Sequence, residues 1–184
     1  MAYKENQRIA LTRRLLQEGL LRLLAHEKLE QISVTALCKE AGINRATFYN
    51  HYTSPAALLA EMETQLASEL DQIRYAPKSL DDIAYQLELS CAKMKEHADL
   101  IAILIRYHAD RDIEDIIIKL TKYYDQNRLD VNKTELDPDS THLVSAFLYA
   151  GSYHLVQEWI LHNIDKTPKE IAQLIISIVS KDYL

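Results

Sequence analysis

Turn-forming residues are scarce in this chain, and that scarcity limits its possible fold more than any other feature. Three glycines and four prolines punctuate 184 residues. An all-β fold needs clusters of such residues between its many short strands. Here apolar residues instead recur at spacings of three and four, the period of an amphipathic helix. The expected fold class is therefore all-α: a three-helix domain over residues 1–54, then a larger helical domain over 55–184.

Residues 33–52 carry the densest set of local signals. Ser33 is placed to cap a short helix, Leu37 and Ala41 form its buried stripe, and Gly42 stands where a left-handed stop is needed. Ile43 turns inward, Asn44 is placed to cap a second helix, and Phe48 and Tyr52 point back to the core. Small side chains at Cys38 and Ala41 let the two helices cross closely. This is the pattern of a helix-turn-helix, whose second helix lies in the DNA major groove.

The remaining elements follow in order. A short arm to about Glu5 precedes a helix from Gln7 to about His26, with Ile9, Leu16, Leu20, Leu23 and Leu24 on one face. Gly19 inside that helix costs about 1 kcal/mol against alanine, which predicts the close approach of another backbone. Ser54-Pro55 is a helix start, opening an apolar helix to about Ile73. Ser79 opens the next. Leu100–Ile105, apolar all round, reads as a buried central helix. Another is expected over Ile113–Tyr124, followed by a polar loop, Asn127–Asp139, holding Asp137-Pro138. The last two helices are expected at Ser140–Asn163 and Pro168–Lys181. Both carry more apolar residues than one face of a monomer needs, which suggests a partner.

Charge is unevenly spread. Overall it is −6, but residues 1–54 hold 8 Lys and Arg against 5 Asp and Glu, while the remainder holds 13 against 22. A basic module on an acidic body is the asymmetry expected when only the first meets phosphate. Two cysteines, Cys38 and Cys91, give no disulfide framework or metal-ligand spacing and fit a reducing cytoplasm. His154, Glu158 and His162 recur at four-residue spacing, which brings together only adjacent pairs, so no metal site is expected. No nucleophile–base constellation, glycine-rich phosphate loop or paired-carboxylate motif stands out, and no catalytic residue or cofactor is expected. The longest apolar run is far too short to span a bilayer.

The stretch from Ser33 through Cys38, Ala41-Gly42-Ile43-Asn44-Arg45-Ala46-Thr47 and Phe48-Tyr49-Asn50-His51-Tyr52, followed by an apolar helix from Leu58, resembles the TetR family of bacterial transcriptional regulators. Phe147, Gly151 and Trp159 resemble the penultimate helix of a low-GC Gram-positive branch that includes regulators of dihydroxyacetone kinase operons. The resemblance implies a cytoplasmic homodimer that binds a palindromic double-stranded DNA operator, usually as a repressor, and responds to a small-molecule effector. It places Asn44, Arg45, Ala46 and Thr47 toward base edges, Tyr49 and His51 on the phosphate backbone, Asn50 on either, and Thr35 on a phosphate. Arg45 is the best candidate for direct readout, since its fork can engage a guanine edge. The implied dimer interface is a four-helix bundle, here with Phe147, Gly151, Leu155, Trp159, Ile171, Leu174, Ile175 and Ile178. Tyr107, Tyr123, Tyr149 and Tyr153 are candidates to line an effector pocket and serve equally well as core or interface residues. One departure stands out: Pro55 and Ala56 occupy positions where the family often has a lysine and an acidic residue, and Arg13 or Arg14 would compensate for the missing cation. The alternative reading is a helical co-regulator or scaffold that works through protein contacts.

Overall fold

A computed structural model describes residues 2–73, 79–107 and 137–179 of the chain. Every regular element among them is helical. The chain divides into two compact units, Met1–Ser68 and Glu69–Leu184. The expected helix over Ile113–Tyr124 and most of the loop after it lie outside the described residues.

In the first unit, α1 (Ala2–Leu24) runs through the stretch expected to be an arm. Leu16, Leu20 and Leu24 form its buried stripe, while Ile9 is partly exposed near its start. A 3-10 turn at Leu29–Gln31 drops Ile32 into the core. Then come α2 (Val34–Ala41) and α3 (Arg45–Tyr49). The close approach predicted at Gly19 is to α2: a Cβ there would lie 3.1 Å from the Cβ of Ala41. The small residue at Ala41 therefore serves the crossing of α1 with α2.

Helix α4 (Pro55–Ile73) opens as the sequence indicates, with the Ser54 hydroxyl accepting from the Ala57 amide at 3.1 Å and Pro55 in the first helical position. Its buried face carries Leu58, Leu59, Met62, Leu66 and Leu70.

In the second unit, α5 (Leu80–Glu96) is capped by Ser79, whose hydroxyl accepts from the Asp82 amide. Asp81 and Asp82 in its first turn and Lys93 and Lys95 in its last complement the helix dipole. Helix α6 (Ala98–Tyr107) is more one-sided than its apolar run suggested: Leu100, Ile103 and Leu104 are buried, while Asp99 and Arg106 face outward. Helix α7 (Pro138–Leu161) starts two residues before the expected position. Asp137-Pro138 is a helix start rather than loop punctuation, because Asp137 Oδ1 accepts from the Asp139 and Ser140 amides at 3.0 Å. Helix α8 (Pro168–Val179) begins with a capping box in which Thr167 and Glu170 satisfy each other's amides.

The core of this unit forms around Trp159, which has no exposed surface and packs with Cys91, Ile160, Ile171 and Ile175. The indole N–H donates to the Lys166 carbonyl at 3.0 Å. Lys95 lies 5.2 Å above the ring and donates to the Asn163 side chain. Burial pushes the Cys91 thiol up to about 12. Of the residues expected at a dimer interface, Trp159, Ile171 and Ile175 are buried within this unit, and Leu155 packs against the same cluster.

Candidate nucleic-acid interface

The turn between α2 and α3 is built almost wholly from local backbone chemistry. Ser33 Oγ accepts from the Ala36 amide at 3.1 Å at the start of α2. At its end Gly42 adopts φ +66°, with its amide directed to the Lys39 carbonyl and that of Ile43 to the Cys38 carbonyl. This pair of bonds satisfies the orphan carbonyls of the last turn and reverses the chain. Asn44 then caps α3, its Oδ1 accepting from the Ala46 amide at 2.7 Å.

Helix α3 has five residues, too few to hold a position by its own hydrogen bonds. It is held from beneath. Phe48 is fully buried and Tyr52 nearly so, with ring centroids 5.9 Å apart, and Tyr49 meets the Phe48 ring edge-on at 5.6 Å. The Tyr52 hydroxyl donates to Glu61 Oε1 at 2.9 Å. Burial, reinforced by that carboxylate, pushes its pKa up to about 12.

On the opposite side the helix is open. Asn44, Arg45, Ala46, Tyr49 and Asn50 are exposed, Thr47 and His51 are half-buried, and Thr35 is exposed at the start of α2. Arg45 makes no ion pair among the described residues, whereas Arg22 is held by Glu40 at 2.6 Å and Arg14 by Glu18 at 2.7 Å. The cation compensation expected of Arg13 or Arg14 is thus modified: Arg14 is paired, and Arg13 sits 3.9 Å from Glu61. Exposed pairs of this kind are weak enough to open. A buried aromatic base beneath an exposed cationic and polar tip is the arrangement a major-groove reader needs.

Residues 16–62 match the family model of bacterial regulatory proteins, tetR family, and residues 81–181 match that of a transcriptional regulator C-terminal region. The chain belongs to the TetR family of bacterial transcriptional regulators. As a TetR-family member it is a DNA-binding transcription regulator and not an enzyme. Solved structures agree on the fold. A dihydroxyacetone kinase operon activator, DhaS, is 16% identical with a TM-score of 0.61, covering 91% of this chain and 93% of that one. A transcriptional regulator from Aquifex aeolicus VF5 is 15% identical at 0.63, covering 91% and 97%. A TetR regulator from Streptococcus agalactiae 2603V is 18% identical at 0.57, covering 97% and 99%. No curated protein sequence matches significantly.

Other expected sites fall out differently in this TetR-family chain. Tyr107, Tyr123 and Tyr149 lie outside the residues whose side chains are described; Tyr153 is half-buried and accepts at its hydroxyl from Gln157. Among the proposed interface residues, Phe147, Gly151 and Leu174 are exposed and Ile178 is half-buried. Leu143, outside the expected stripe, is 68% exposed on the same helix as Phe147 at 72%. Glu158 and His162 meet at 3.3 Å, but no group of three potential metal ligands occurs among the described residues. No helix among them is long and apolar enough to cross a membrane.

Proposed function

We propose that this regulator is a cytoplasmic homodimer that represses transcription from a palindromic operator and is released by a small molecule bound in its second unit. The observation that carries the reading is the exposed tip of α3. Arg45 stands there without an ion-pair partner among the described residues, on a helix whose other side is buried through Phe48. Arg45 reads a guanine edge, with Asn44, Ala46 and Thr47 toward neighbouring bases. Tyr49, His51 and Thr35 grip phosphates, and Asn50 meets either.

Dimerisation rests on the exposed apolar side chains of the last two helices. Leu143, Val144, Phe147 and Leu174 together give a monomer more apolar surface than water tolerates cheaply. Covering them with the same face of a second copy is the isologous solution. Tyr153, with Tyr107, Tyr123 and Tyr149, supplies effector contacts. A ligand that favours one spacing of the two readers over the other shifts the population away from the operator-bound form.

The test is a selection of operator duplexes from random DNA, followed by Arg45→Ala. The variant should stay folded and lose about 1–3 kcal/mol of discrimination at one base pair per half-site. An unchanged footprint on the selected duplex would refute the assignment of α3 as the reader.

A further inference from the structure

Tyr52 fills the space beneath the recognition helix with its ring, yet its hydroxyl serves a different element. That hydroxyl donates to Glu61 Oε1 at 2.9 Å, on the second turn of α4. The same oxygen lies 3.9 Å from Arg13 Nη1 on α1. Three segments of the first unit therefore meet at one carboxylate. Phenylalanine at position 52 would fill the ring's volume and leave no hydroxyl to satisfy, so packing alone does not call for this bond. A carboxylate also opposes the charge of a phosphate, so contact with DNA does not account for Glu61 either.

The need it meets is orientational. Helix α3 spans Arg45–Tyr49, and after it the chain turns at once through Asn50 and His51 to Tyr52, whose amide reaches back to the Phe48 carbonyl at 2.9 Å. Phe48 anchors the helix one residue from its C-terminal end. A single anchor leaves rotation about that point free. The second anchor is at Tyr52, and Glu61 is what holds its outer end. The partner distances rank the contacts: the bond to Tyr52 is short and charge-assisted, while the approach of Arg13 is long and about half-exposed.

We infer that Glu61 is a positioning residue for DNA reading. It holds Tyr52, and through Tyr52 the C-terminal end of the recognition helix, at the angle from which Arg45 and its neighbours reach base edges. The inference rests on the reading of α3 as the sequence reader given above. What Glu61 supplies is a charged acceptor at a fixed place, so Glu61→Gln, which keeps an acceptor oxygen without its charge, conserves part of the function, while Glu61→Ala and Tyr52→Phe remove it.

The experiment measures binding of the full-length wild type and these three variants to two probes: a duplex enriched from random DNA by the wild type, and a random-sequence duplex of equal length. Amide hydrogen exchange over residues 45–52 is measured alongside, with Arg45→Ala as a parallel variant. Tyr52→Phe and Glu61→Ala should weaken binding to the enriched duplex about tenfold, as expected for loss of a charge-assisted bond. Binding to the random duplex should weaken less, because Tyr49 and His51 keep their side chains and a displaced helix end costs phosphate contacts less than base-edge geometry. Glu61→Gln, which keeps an acceptor oxygen but loses its charge, should fall between wild type and Glu61→Ala on the enriched duplex. A parallel loss on both probes would show that only folded protein was lost and would overturn the inference. So would wild-type binding by Tyr52→Phe, or Glu61→Gln behaving like Glu61→Ala. If Arg45→Ala binds the enriched duplex like wild type, or no duplex enriches, the reading of α3 fails separately. Hydrogen exchange then decides: faster exchange over residues 45–52 in Tyr52→Phe supports the anchor, and unchanged exchange refutes it.

Discussion

Gly19→Ala sets two known effects against each other at a contact whose geometry is fixed. Alanine in a helix interior is favoured over glycine by about 1 kcal/mol. Against that, the new methyl would lie 3.1 Å from the Ala41 Cβ, 3.2 Å from its amide nitrogen and 3.3 Å from its Cα. Ordinary carbon–carbon contact is at about 3.5–4.0 Å, so α2 must retreat by about half an ångström. Two of the three crowded atoms are backbone, and Ala41 is followed by Gly42 at φ +66°, where the chain reverses. No side chain can swing aside; α2 must move as a body. Overpacking of this kind costs about 1–3 kcal/mol, so the variant should be net destabilised by about 1 kcal/mol. Urea unfolding followed by far-UV circular dichroism measures this. The chain's single tryptophan, Trp159, lies in the other unit and provides a separate probe of that unit in the same titration. A double-mutant cycle with Ala41→Gly removes only the methyl–methyl share of the clash, because the Ala41 amide nitrogen and Cα stay at 3.2 and 3.3 Å, so Gly19→Ala should remain destabilising in that background. A Gly19→Ala variant as stable as wild type would refute the close-approach argument.

Three further outcomes are expected. Trp159→Ala should destabilise the second unit by about 3–5 kcal/mol, as loss of a fully buried indole does, whereas Phe147→Glu should spare monomer folding and shift the sedimentation equilibrium toward monomer. Similar stability losses in both variants would mean that Phe147 belongs to the monomer core. Pro55 is buried at the start of α4, so Pro55→Lys should destabilise the first unit rather than add a phosphate contact; a stability equal to wild type together with a log K against log salt slope steeper by about 0.9 would refute this. The Cys91 thiol, held up to about 12 by burial, favours the folded state while neutral. Its contribution is complete below the ordinary thiol range near 9 and is lost as pH rises toward 12, because only the unfolded chain ionises there. Native protein at pH 8 should therefore resist thiol reagents at Cys91 until it is unfolded; rapid labelling of the native state would contradict this burial.

The sequence by itself determined whatever depends on near neighbours along the chain. Ser33, Gly42, Asn44 and Ser54-Pro55 act within four residues of themselves, through caps and a left-handed turn, and each stands where its side-chain chemistry requires. The same locality made the exposed face of α3 legible, because Phe48 and Tyr52 at four-residue spacing fix which side is buried. Asp137-Pro138 is equally local, but the dipeptide suits a loop turn as well as a helix start, and the two amide bonds to Asp137 decide for the helix. Tertiary structure alone decided which apolar face meets which neighbour. Helix α7 is apolar on more than one side, so periodicity shows that it is covered without showing by what. Trp159 is closed over by Cys91, Ile171 and Ile175 of the same unit, while Phe147, three turns earlier, is left open. The same holds for the polar contacts beneath α3. Tyr52 and Glu61 are nine residues apart on different elements, and Gly19 and Ala41 lie on helices joined by a turn. Periodicity assigns a residue to a face; only the packed chain names the atom opposite it.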